Sequence, residues 1–300
     1  MLLAFDWTQL AQQIVIGLAS GGVWATLAVA LVLIYRSTGV INFAQGEMAM
    51  FTTYIAWALM GHGTDFRWWA FFATLGIAFA GGVALQRTVV RPLERASVLT
   101  VVMGTIALLV ILNGLATWIW SPQIQFFPSP FPPTAWVIGG VHIGKQEVGT
   151  LAVTLGGVVI LGAFFRFTKL GLAMRAGALN RDAARLLGVR TSWLLALGWG
   201  FAAALGAVSG MMVAPTVFLT PNMMQAVLIY AFAAAVLGGL ESPVGAVVGG
   251  LTLGVLLAIL NAYVDFVTTE LQLPVALFVL LLVLLVRPAG LLGRVVVRRV

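Results

Sequence analysis

The sequence contains no cysteine and very little charge. Without thiols it has neither a disulfide framework nor a thiol-ligated metal centre. The two histidines, His62 and His142, stand alone, and no carboxylate or histidine lies at metal-ligand spacing, so no metal site is expected. No G-x-x-x-x-G-K-[ST] loop occurs, so the chain is not expected to be its own ATPase. No nucleophile–base arrangement is recognisable, and the expectation is a protein that is not itself an enzyme. The opening "MLLAFDWTQLAQQ" lacks the basic leader of a signal peptide and carries Asp6, so it reads as mature protein.

Only 8% of the 300 residues are charged, whereas a soluble domain has about 25%. Hydrophobic residues make up 61%, and the mean hydropathy is +1.08. Such a chain cannot cover itself with polar surface; it is an integral membrane protein. The formal charge of +7 then points to basic loops at one membrane face, not to nucleic acid.

Apolar runs predict spans near 13–35, 40–60, 67–87, 97–120, 148–165, 193–218, 226–240, 243–263 and 271–287. With the N-terminus outside, one side collects Arg36; Arg87, Arg91 and Arg95; Arg166, Lys169, Arg175, Arg181, Arg185 and Arg190; and Arg287, Arg294, Arg298 and Arg299. Those are 14 of the 16 basic residues; Arg67 and Lys145 fall opposite. The positive-inside rule therefore predicts an N-out, C-in chain. "GGLESPVG" argues for a break within 226–263, because Gly238, Gly239 and Pro243 disfavour one continuous helix. Glycines four apart (Gly17 and Gly21, Gly206 and Gly210, Gly245 and Gly249, Gly250 and Gly254) read as helix-packing positions. The predicted fold is all-α: one transmembrane bundle over 1–300 with about eight to ten segments, some broken or re-entrant.

Two connections are long. The external 121–147 is rich in proline and aromatics, and its "WVIGGVHIG" reads as a hairpin turning on Gly139–Gly140. The internal 166–192 is the most basic stretch, and "NRDAARLLG" within it reads as a short helix, with Asn180 as N-cap, Asp182 in the first turn and Gly188 as the stop.

The polar residues of "GVINFAQGEMAM" need a reason. Asn42, Gln45 and Glu47 follow Gly39 and flank Gly46, so the helix is expected to break near 42–46 and restart near Glu47. Irregular backbone at membrane depth is tolerated only inside protein or along a wet cavity. Glu241 mirrors it in the break before Ser242, the expected N-cap, and Pro243, the expected N1 residue. Two such breaks point to a substrate path through Asn42, Gln45, Glu47, Glu241 and Ser242. A bland alternative places each glutamate at the interface, hydrated or paired with Arg36 or Arg185.

"DAARLLG", Asp182 to Gly188, resembles the EAA-xxx-G loop of ABC-importer permeases, although the later Ile-x-Leu-Pro of that pattern is absent. Together with "STGVINFAQGEMAM", "AAAVLGGLESPVGAVVGGLTLGVLLA" and "LLVLLVRPAGLLGR", the chain resembles the H-type permeases of branched-chain amino-acid ABC importers over roughly 10–294. The resemblance implies a subunit of the bacterial inner membrane and an ATPase-coupling loop at Asp182, Ala183, Ala184 and Gly188. It also implies a second homologous permease, two cytoplasmic ATPases that bind the ATP, and an external solute-binding protein. No cofactor of the chain's own is implied. Permeases for urea and short amides are similar enough to stay open. A proton-coupled secondary transporter would use Glu47 and Glu241, but leaves "DAARLLG" without a role.

Overall fold

The computed structural model describes residues 7–93, 96–179, 181–186, 190–264, 266–287 and 289–293. Helix α1 (Trp7–Thr38) is followed by α2 (Gln45–Leu59) and α3 (Trp68–Leu85). A π-helical turn over Gln86–Val90 joins α3 to α4 (Arg91–Leu93), and α5 follows (Val98–Trp120). Strands β1 (Ala135–Ile138) and β2 (Val141–Gly144) precede α6 (Lys145–Phe167), α7 (Lys169–Leu179) and α8 (Arg181–Leu186). The last part comprises α9 (Thr191–Val217), α10 (Met224–Gly238), α11 (Pro243–Tyr263) and α12 (Gln272–Val286). Each of the nine expected spans has its helix, and 226–263 divides in two at Gly239–Ser242.

Among the described residues, six stretches are long and apolar enough to cross a membrane: α1, α3 continued through α4, α5, α6, α9 and α11. The other apolar helices, α2, α10 and α12, have 15 residues each. At about 1.5 Å per residue each reaches only about 22 Å, short of a hydrocarbon layer of about 30 Å. Helices α1 and α9 occupy the centre, whereas Val110, Ile111 and Trp118 on α5 are exposed as a lipid-facing surface requires.

Close backbone packing holds the centre. Gly17 and Gly21 of α1 meet Gly250 and Gly254 of α11: a methyl group built on Gly250 would stand 2.6 Å from Ala25 Cα, and one on Gly17 2.6 Å from Val255 Cα. Lipid supplies no hydrophobic drive for helix pairing, so such contact is what joins them. Gly206 and Gly210 admit α2 to α9 in the same way.

The two halves repeat each other. A long central helix (α1 or α9), a six-residue break (39–44 or 218–223) and a 15-residue helix (α2 or α10) recur in order. Each break opens on a positive φ, 75° at Gly39 and 61° at Phe218. The packing recurs crosswise: α1 lies on α11 as α9 lies on α3, and α2 on α9 as α10 on α1. Helix α2 also touches α5 as α10 touches α12. The counterpart of the 39–44 break is therefore 218–223, which corrects the pairing with Glu241 that sequence suggested. The segment carrying Glu241 is instead the tight turn from α10 into α11.

The β1–β2 hairpin is antiparallel and turns on Gly139 (φ 59°) and Gly140 (φ 85°), the two positive values that a two-residue turn of this hand requires. It sits over the start of α1, where His142 N donates to Gln12 Oε1 at 3.3 Å.

Candidate substrate path

Helix α1 ends with Gly39 in the left-handed region, which frees the chain to turn back into the bundle. Asn42 then organises the break. Its Oδ1 accepts from Ala44 N (3.1 Å), and its Nδ2 donates to Gln45 Oε1 (3.3 Å) and towards Met48 Sδ (3.5 Å). Gln45, the first residue of α2, donates from Nε2 to the carbonyl of Ala202 in α9 (2.9 Å). Asn42 and Gln45 are fully buried. Their contacts hold the irregular backbone in register against α9, satisfying polar groups that bilayer depth would leave unpaired.

Glu47 is 2% exposed and faces another way. Among the described residues its carboxylate has one side-chain partner, Asn113 of α5, whose Nδ2 lies 3.4 Å from Oε2. The same Nδ2 donates to the carbonyl of Pro221 (2.9 Å) and to Asn222 Oδ1 (3.1 Å). Gln225 Nε2 also donates to Asn222 Oδ1 (3.0 Å). One polar group thus joins the start of α2, the middle of α5 and the second break.

The depth of this group follows from its neighbours. A methyl group on Gly46 would lie 3.2 Å from Leu228 Cβ and 3.3 Å from the Met224 carbonyl, so α2 and α10 begin at the same level. Gln45 reaches Ala202, and Gly206 lies beside Gln45 and Ala49, in the middle of α9. Two short helices of the two halves therefore start near half height, and neither start has a side-chain cap.

Glu241 and Ser242 are not part of this group. Ser242 caps α11, its Oγ accepting from Gly245 N at 2.9 Å, with Pro243 following as first helical residue. Glu241 is exposed. Residues 289–292 pack on that turn, with Leu291 N and Leu292 N donating to the carbonyls of Leu237 and Gly238.

At the opposite end from the hairpin, α8 spans Arg181–Leu186 and includes Asp182, Ala183 and Ala184. Ala184 is buried and Leu186 is 90% exposed, so one side of the short helix meets the bundle while an apolar side chain faces away. Gly188 and Asn180 lie outside the described residues.

Sequence reading did not find Asn113, Asn222 and Gln225. Asn113 was visible as an amide inside the apolar run 97–120, and "TPNMMQA" as polar residues around a proline between two spans. Their convergence needs the crossing of α5 over both breaks, which no local pattern encodes.

Broken helices meeting at half height around a polar group, within a bundle of long apolar helices, define a membrane transport component. Residues 13–285 match the family described as branched-chain amino acid transport system / permease component, and the chain belongs to that family. It is a multi-pass protein of the bacterial inner membrane. It is 32% identical, over 96% of its own length and 97% of theirs, to the high-affinity branched-chain amino acid transport system permease proteins LivH of Salmonella typhimurium and Escherichia coli K12. The same figures hold for BraD of Pseudomonas aeruginosa. Similarity to the solved PsaBC from Streptococcus pneumoniae in complex with Fab is weaker, with a TM-score of 0.47 at 13% identity over 92% of this chain and 91% of that one.

Proposed function

We propose that the chain is a permease subunit of an ATP-driven importer that carries branched-chain amino acids inward. The observation that carries the reading is membership of the permease family along nearly the whole chain. The meeting of α2 and α10 near half height of the bundle supports the reading, because a transporter needs a path between broken helices of its two halves. In this reading a second, similar permease completes the path, and two cytoplasmic ATPases bind the ATP. An external solute-binding protein delivers the solute at the hairpin end. Helix α8 seats on an ATPase, with exposed Leu186 as an apolar contact, and transmits closure of the ATPases to α9.

The test is assembly and coupling. Affinity purification of the tagged chain should bring down an ATPase, and the reconstituted complex should take up leucine only with ATP inside. Gly188→Trp should leave the assembled complex in the membrane while separating ATP hydrolysis from uptake. Proton-driven uptake by this chain alone in liposomes would replace this reading with a secondary transporter.

A further inference from the structure

The group around Glu47 does more than hold a break. Glu47 is the third residue of α2, near half height, and its one described side-chain partner is a neutral amide. A carboxylate at that depth calls for a positive partner. Beside it, Asn222 and Gln225 are exposed and Asn113 is half-buried, on a protein whose neighbouring outward positions are Val110 and Ile111. Side-chain amides turned towards acyl chains forfeit their hydrogen bonds with water. The patch that these amides form therefore faces a wet path or another protein, in contrast to the apolar Val110 and Ile111 at its edge.

We infer that Glu47, Asn113, Asn222 and Gln225 form this chain's half of a recognition site for the charged backbone groups of an α-amino acid. The inference rests on the permease reading above and adds the chemistry. The solute's ammonium supplies the cation that Glu47 lacks, and it can also donate to Asn222 Oδ1 and the Pro221 carbonyl, which Asn113 now occupies. The amide N–H groups of Asn113 and Gln225, now turned on neighbouring oxygens, are released to the solute's carboxylate. The solute exchanges with hydrogen bonds that already exist, so the empty path keeps its polar groups satisfied. A neutral solute such as urea can donate hydrogen bonds to Glu47 but brings no positive charge, so it leaves the carboxylate uncompensated. The site therefore favours an amino acid over an amide. The partner permease covers the outward side, where Asn222 and Gln225 stand exposed.

The experiment uses the complete complex in proteoliposomes, with saturating solute-binding protein and radiolabelled L-leucine. Glu47→Gln should lower the uptake rate about tenfold or more, since a hydrogen bond to a charged group is worth about 1.5–3 kcal/mol. Asn222→Ala combined with Gln225→Ala should lower it about fivefold, by the loss of neutral hydrogen bonds. Both variants should keep subunit assembly and the wild-type unfolding midpoint. If Glu47→Gln does not assemble, the Asn222/Gln225 double variant decides, because both side chains are exposed. Wild-type uptake rates in the assembled variants would overturn this inference alone. Uptake of urea in place of leucine by the wild-type complex would overturn the inference and the proposed solute class together.

Discussion

Three polar side chains within six residues divide their labour by direction. Asn42 turns into the break and Gln45 towards α9, both satisfied by fixed backbone and by each other, whereas Glu47 turns towards α5 and the second break. The first two are structural, and their removal should be felt as stability. Gln45→Leu keeps the volume but removes the donor to Ala202 and the acceptor for Asn42, leaving a buried amide short of a partner. The expected cost is about 1–3 kcal/mol. It should appear as a lower unfolding midpoint of the detergent-solubilised chain. An unchanged midpoint would mean that the break is held by packing alone. Sequence made the polarity of this stretch legible, because carboxylates and amides are rare in apolar spans. It could not separate the roles, since direction depends on where α5 and α9 lie.

At the scale of the helix, glycine positions decide which pairs touch. The α1–α11 contact has backbone on both sides, so a side chain on Gly250 has nowhere to go: the nearest atoms are Ala25 Cα and N, both at 2.6 Å. Gly250→Leu should force the helices apart at a cost of about 1–3 kcal/mol or more and reduce the amount of folded protein in the membrane. Gly156 on α6 is the contrast, with nothing within 4 Å of the added atom, and Gly156→Leu should be tolerated. Equal yields and midpoints for the two variants would defeat the assignment. The spans themselves were legible from apolar length, and the caps at Ser242 and the hairpin at Gly139–Gly140 from local chemistry. The repeat was not. Its halves share lengths and contacts, but "INFAQGEM" and "LTPNMMQA" share almost no residues. The visible carboxylate at Glu241 therefore drew the pairing to the wrong turn.

For the whole molecule, the repeat accounts for the topology. Each half has four membrane segments, α1, α2, α3 and α5, or α9 to α12, an even number. Joined directly, the halves would run the same way through the membrane. Helix α6 has no counterpart, and its single crossing turns the second half over, so that α2 and α10 can start face to face near half height. It is anchored for this task against α1, where Thr26 Oγ1 donates to the Thr154 carbonyl at 3.3 Å. The same arrangement gathers the basic ends of the helices together. Arg36, Arg175 and Pro243 line one cavity, and the Arg87 guanidinium lies 3.4 Å over the Trp193 ring. Lys145 starts α6 beside the hairpin, and Arg67 precedes α3. Lys and Arg are retained on the cytoplasmic side during insertion, so the basic end should face the cytoplasm and the hairpin the outside. A chain without cysteine permits a direct check, because any introduced thiol is labelled against no background. Gln123→Cys, exposed in the connection from α5 to the hairpin, should react with a membrane-impermeant maleimide in right-side-out vesicles. Ala176→Cys, exposed on α7, should react only in inverted ones. The reverse pattern would place α8 outside the cell, away from any ATPase, and the coupling role proposed for it would fall with the orientation.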